Sequence, residues 1–313
     1  MKSVRRILIL CIFLIVIFNI KAFASEELNT YSFETTNDNV FEFYENAVEV
    51  KKANKTQPIT NTDIEEYVKL EGKKHIEEIN LEKYNVSKTD FDKIMSLVFL
   101  DPEVFYINGY TSYYDSNNIM ISVKLNYLMS LEEIQTYSQK IEEVVQDYLS
   151  NIDSTMNDID KIIYTYNYVC RTCVSTDFGV TENYSIDSIA RLLVDNSGED
   201  LAYTKSYMYL LNQVNIECSL AASKEESAIW NLVKYEGDYY HVNTWASDYK
   251  GNKYDSFTYQ FFLESDASYW AVNENHIGVE FEATNTQFDS TEHHVWHWVD
   301  SGTTMHFKDG FWY

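Results

Sequence analysis

The sequence predicts an α+β fold: helices packed on an antiparallel sheet, preceded by a smaller α+β domain. Three observations predict it. Several stretches carry apolar residues at helical spacing and open on capping residues. Shorter stretches alternate apolar with polar residues and are separated by turn chemistry, so they read as strands joined by hairpins. Twenty-six tyrosines and seventeen phenylalanines then supply apolar area for two cores.

The chain opens with the build of a secretory signal. Lys2, Arg5 and Arg6 form a positive start, residues 7–20 are apolar, and Ala22-Phe23-Ala24 gives a small–x–small cleavage site. A fourteen-residue run falls short of the ~20 a spanning helix needs. Cleavage after Ala24 is expected, with an uncleaved anchor as the alternative. The only nearby cysteine, Cys11, lies inside the apolar run, so a lipoprotein is not expected. No later segment is long and apolar enough to cross a bilayer. The remaining 25–313 is divided into an N-terminal α+β domain over 25–152 and a second domain over 153–313.

Residues 25–60 are polar, with little periodicity. Asp63 to Asn80 reads as an amphipathic helix with Ile64, Tyr67, Val68, His75 and Ile76 towards one side. Ser87 and Asp90 resemble a capping box opening a helix through Leu97. Val104–Ile107, Tyr110–Tyr114 and Ile119–Tyr127 alternate like strands around the turn Asp115–Asn118. Ser130 with Glu133 caps a helix to about Leu149, and Asp158 to about Cys173 forms another. A short helix is expected over about 186–194 and a longer one from Asp200 to near Val214. Strands are expected at about 216–222, 227–235 and 238–245, followed by Tyr259–Asp266. The tail supplies Val295–Val299, Thr303–Phe307 and Phe311–Tyr313.

Two stretches of this second part carry more than secondary structure. Ser188 to Cys218 (SIARLLVDNSGEDLAYTKSYMYLLNQVNIEC) and Ala228 to Trp245 (AIWNLVKYEGDYYHVNTW) resemble the core of exported bacterial transglutaminase-like, papain-like domain proteins. The resemblance is sharp over about 155–265 and looser over 104–150. It implies a helix whose N-terminus presents the nucleophilic cysteine, a strand carrying the histidine base, and a further strand carrying the orienting aspartate. Here those places hold Asp200, Ala228 and Asn243.

Thiol acyl transfer needs a thiolate, a base for its proton and a group that fixes the base. Asp200 has no thiol, and its ordinary role is a carboxylate favoured in a first helical turn. Ala228 has no proton-accepting group, and Asn243 has no histidine to orient. The resemblance therefore implies a kept fold with lost chemistry, a catalytically degenerate module. The alternative is an active hydrolase or acyl-transfer enzyme using Asp200 with His241, which shares a face with Asn243 two residues later. Function residing in 25–150 is a third reading. The cleft candidates are Asp200, Tyr203, Trp230, His241, Asn243 and Trp245, and loss of the imidazole at Ala228 predicts a wider groove. Aromatic walls with a few polar groups suit an extended peptide or a cell-wall glycan.

Forty-nine acidic against 24 basic residues give a net charge of −25. Cleavage removes Lys2, Arg5, Arg6 and Lys21 and takes the charge to −29. Such a surface repels nucleic acid and anionic membranes, so neither is expected as a partner, and a peptide partner should be basic. Cys170, Cys173 and Cys218 are an odd, sparse set unlike a disulfide framework. The Cys170/Cys173 spacing falls at a helix C-terminus, the wrong end for a low-pKa thiol. The His293–Trp298 run, with Glu292 and His306, reads as an aromatic hairpin. No cofactor or metal is expected.

Overall fold

The computed structural model describes residues 28–36, 39–56, 62–175, 188–248, 257, 259, 261–269, 278–289, 307–308 and 311–312. The signal-like segment, Val295–Val299 and the histidine-rich run lie outside the described residues. Two antiparallel sheets flanked by helices confirm the α+β class.

The first sheet is built from β1 (Asn29–Glu34), β2 (Glu78–Asn80), β3 (Ile107–Tyr114) and β4 (Met120–Tyr127), in the order β1-β3-β4-β2. The β3–β4 hairpin turns where the sequence predicts. Asp115 accepts hydrogen bonds from the Asn117 and Ile119 amides, and Asn118 takes a left-handed φ of 60°. β1 lies against Gly109, where a Cβ would stand only 2.3 Å from the Phe33 carbonyl oxygen, so a side chain there would displace the strand.

Three helices belong to this layer: α1 (Val40–Thr56), α2 (Thr62–Lys73) and α3 (Lys88–Leu100). The structure corrects the sequence reading at two places. Residues 25–60 hold β1 and α1, whose helical face, Tyr44, Ala47 and Val48, is buried. The helix expected over 63–80 stops at Lys73. His75 turns the chain at φ 59°, stacks on Tyr127 at 4.0 Å between ring centroids, and bonds the Met129 carbonyl. Tyr127 in turn donates to the Ile76 carbonyl, and β2 pairs with β4, so a cross-strand ladder outweighs the helical periodicity. Ser87 caps α3 as expected by accepting from the Asp90 amide.

The second half begins with α4 (Leu131–Ser150) and α5 (Asp158–Thr172), both opened by complete capping boxes, at Ser130/Glu133 and Asn157/Asp160. A two-residue β5 (Val174–Ser175), α6 (Ile189–Asp195), β6 (Ser197–Gly198) and α7 (Asp200–Gln213) follow. The second sheet contains β7 (Cys218–Ser223), β8 (Ala228–Tyr235), β9 (Asp238–Val242), β10 (Phe262–Glu264) and β11 (Gly278–Val279), in the order β10-β9-β8-β7-β11. Between β9 and β10 stands a single-turn helix α8 (Thr244–Ser247), and β12 (Phe307–Lys308) pairs with β13 (Phe311–Trp312).

Buried side chains run without a break from α1 and α3 through α5 and α7 to the second sheet. Lys205 of α7 joins the two halves: its ammonium donates to the Tyr44 hydroxyl at 2.9 Å and to the Phe99 carbonyl at 2.8 Å. Among the described residues no helix is long and apolar enough to cross a membrane.

Candidate functional site

The first candidate position, the one expected to hold a nucleophile in the resemblance, is the start of α7. Asn196, at φ 56°, ends α6 in a left-handed turn, and β6 pairs in parallel with β5 before α7 begins. Glu199 stands at the N-cap without a side-chain cap bond. Burial raises its carboxyl above the usual range. Asp200 is half-buried, and its Oδ1 accepts the Leu201 amide at 2.8 Å. A carboxylate there satisfies a helix-terminal donor and answers the helix dipole.

α7 packs on one face of the second sheet, and alternation decides what it meets. Asn231 of β8 donates to the Thr204 carbonyl of α7, so Ile229, Asn231 and Val233 face the helix. Ala228, Trp230 and Leu232 face the other way, into a separate buried cluster with Tyr239 and Tyr269. His241 is the register partner of Leu232 and joins them. On this far face Trp230 Nε1 donates to His241 Nδ1 at 2.8 Å, and His241 Nε2 meets Asp266 Oδ1 at 2.8 Å. The accepting Nδ1 fixes the neutral tautomer with the proton on Nε2, donated to Asp266. Burial lowers the pKa of His241, against the opposing pull of Asp266 and Asp289. Burial alone would raise Asp266, but the histidine and the Ala283 amide hold it below the ordinary range.

Both ring nitrogens of His241 are thus engaged, and its side chain has no exposed surface. The carboxylates acting on it are Asp266 and Asp289. Asp200 bonds to its own helix end, so the structure does not assemble the Asp200–His241 pair.

Tyr269 belongs to the same buried cluster as Ala228 and Trp230. Its ring stacks on His241 at 4.7 Å and tilts against Trp230 at 5.1 Å, and its hydroxyl accepts from the Asn243 amide at 3.1 Å. The wider groove expected from the sequence is absent among the described residues: Ala228 is 9% exposed and Tyr269 3%. Asn243 has a second task. Its Oδ1 accepts from the Ala246 amide and caps α8, so the expected strand over 238–245 ends at Val242. Trp245 consequently lies half-buried on α8. Tyr203 is fully buried and donates to Asp248.

All three cysteines beyond the N-terminal segment are free and buried. The Cys170 thiol lies 3.6 Å from the Thr244 carbonyl, and burial with the nearby Asp248 charge pushes it well above its ordinary pKa. Burial raises Cys173 to about 12 and raises Cys218 also. Among the described residues no group of three or more His, Cys, Asp or Glu is placed to hold a metal ion.

Sequence reading missed Asp266 and Tyr269, which complete the cluster, and the buried acids Glu264 and Asp248. The signal for the first pair was the i, i+3 spacing in Ser265-Asp-Ala-Ser-Tyr269, one helical turn closed by the Tyr269 amide on the Ser265 carbonyl.

No family model matches the sequence, and no curated protein matches it. A solved structure described as a crystal structure of a TGase is similar over 47% of this chain, at 8% identity and a TM-score of 0.30. The chain spans about half the length of that structure (45%).

Proposed function

We propose that the chain is an exported, non-catalytic module with a transglutaminase-like arrangement, acting by binding or scaffolding at the bacterial cell envelope. The observation that carries the non-catalytic reading is the environment of the thiols. Acyl transfer by this route needs a thiolate near neutral pH, and burial keeps Cys170, Cys173 and Cys218 protonated there. The resemblance sets Asp200, Ala228 and Asn243 at the three places of the triad, where none supplies a thiol or a base, and Asn243 serves a helix cap and a tyrosine.

Export rests on the charged start, apolar run and Ala-Phe-Ala site at the N-terminus. Binding of a basic protein or peptide rests on the excess of acidic over basic residues.

The test uses purified residues 25–313. They should neither incorporate a primary amine into a glutamine peptide nor cleave peptide bonds, and a thiol reagent should label the native protein only after denaturant is added. Turnover above a heat-denatured control that a thiol inhibitor removes would overturn the reading.

A further inference from the structure

Glu264 ends β10 at a β-bulge, directly after Leu263, which is held at a left-handed φ of 57°. Branched side chains avoid that conformation, so the surrounding bonds must hold it. Glu264 is 4% exposed. One oxygen accepts from the Ser268 hydroxyl at 2.8 Å, and the other, Oε2, is buried with no hydrogen-bond partner. A buried carboxylate oxygen without a donor is costly when charged and cheap when protonated.

The residues that follow form the turn that fills the site. Ser265 is tied to Asp289 through its amide and its hydroxyl, both within 2.8 Å. Asp266 exchanges two bonds with Ala283, from its amide to the Ala283 carbonyl and from the Ala283 amide to its Oδ2. Asp266 also reaches His241, and Tyr269 reaches Asn243. The titratable groups around Glu264 are Asp289 from the C-terminal segment, His241 opposite it on β9, and Asp266 on its own turn.

We propose that the Ser265–Tyr269 turn is a pH-sensitive latch, closed over the place beside Asn243 while Glu264 is neutral and loosened when Glu264 ionises. Its use in binding rests on the non-catalytic reading above. Burial raises the Glu264 carboxyl to about 7, aided by the Asp289 charge and opposed by Ser268. Ionisation sets an unsatisfied negative charge beside Asp289. The contacts able to yield are those of the turn, because the strand below is paired with β9. Opening would expose the faces of Tyr269 and Trp230, an aromatic surface beside carboxylates, suited to a basic peptide.

The latch can be tested by amide hydrogen exchange of residues 264–269 between about pH 5.5 and pH 8.5, corrected for chemical exchange rates and referenced to β8. Protection in the wild type should fall by about 5-fold or more across neutral pH, as for a local opening. Glu264→Gln should remove that fall. Ser268→Ala, a milder change that deletes only the donor to the carboxylate, should move the fall to higher pH. A flat wild-type profile, or one that neither substitution alters, overturns the latch and leaves the non-catalytic reading standing. Thiol-dependent amine incorporation would instead overturn that reading and leave the exchange result intact.

Discussion

At the residue scale, Glu264 and Asn243 show how an environment can be read as a measurable free energy. Glu264 has a raised folded-state pKa, from 4.5 to about 7. A raised carboxyl means that the folded state binds the proton more tightly than the unfolded chain. Its contribution is therefore fully present below about pH 4.5 and is lost as pH rises through about 7. Glu264→Gln stays neutral throughout, so it should be more stable than the wild type by about 1–3 kcal/mol at pH 8 and nearly equal at about pH 4.5. Urea denaturation at the two pH values checks this, and an advantage independent of pH would count against a buried ionising group. Asn243 can be dissected in the same way. Asn243→Asp keeps an oxygen for the Ala246 amide and can accept from the Tyr269 hydroxyl, so it should cost little. Asn243→Ala removes the α8 cap and the tyrosine contact together and should cost about 1–2 kcal/mol. Equal losses in the two variants would show that the side-chain bonds do not matter.

At the scale of elements, α7 offers the sharpest test. Its N-cap residue, Glu199, makes no cap bond, and burial raises its carboxyl. Glu199→Ser should supply the missing acceptor for an amide of the first turn and stabilise the protein by about 0.5–1 kcal/mol. A thermal scan showing a loss instead would mean that the Glu199 side chain has a partner of its own. The helices with strong caps were legible in sequence because capping is local: Ser87, Ser130 and the start at Asp158 each declare themselves within four residues. The β3–β4 hairpin was legible for the same reason, through Asp115–Asn118. What escaped depended on distant chain. β1 forms because Gly109 admits it, and the 63–80 segment breaks because β2 finds β4. Of the candidate site, the three places Asp200, Ala228 and Asn243 are what the resemblance to transglutaminase-like domains implies, and periodicity or spacing alone does not single them out. That Tyr269 would pack against Trp230, His241 and Asn243 was not legible there, because it arrives from a turn beyond the next strand, a turn tied to Ala283 and Asp289.

At the scale of the whole molecule, the dominant quantity is charge. Acidic residues outnumber basic ones 49 to 24, and many of the described lysines are already spent in ion pairs. Lys69 alone meets Glu65, Glu66 and Asp101, while Lys51 and Lys55 share Glu280. The surplus carboxylates therefore repel one another across the surface, and that repulsion favours the expanded, unfolded chain. Salt should act on the two kinds of interaction unequally. Raising ionic strength from ~0.01 M to ~0.15 M shortens the screening length from about 30 Å to about 8 Å, which suppresses the long-range repulsion. The Glu280 cluster is screened less, because its carboxylate side chain is only 1% exposed. The melting temperature should consequently rise with added sodium chloride, by about 2–4 °C for each ~1 kcal/mol of repulsion removed. Over the same range a basic partner should bind more weakly and associate more slowly, since its attraction depends on the same unscreened field. Calorimetry and a binding titration along one salt series would read both. A melting temperature that falls with salt would show that exposed ion pairs outweigh the net charge. Binding unaffected by salt would remove the electrostatic argument for a basic partner.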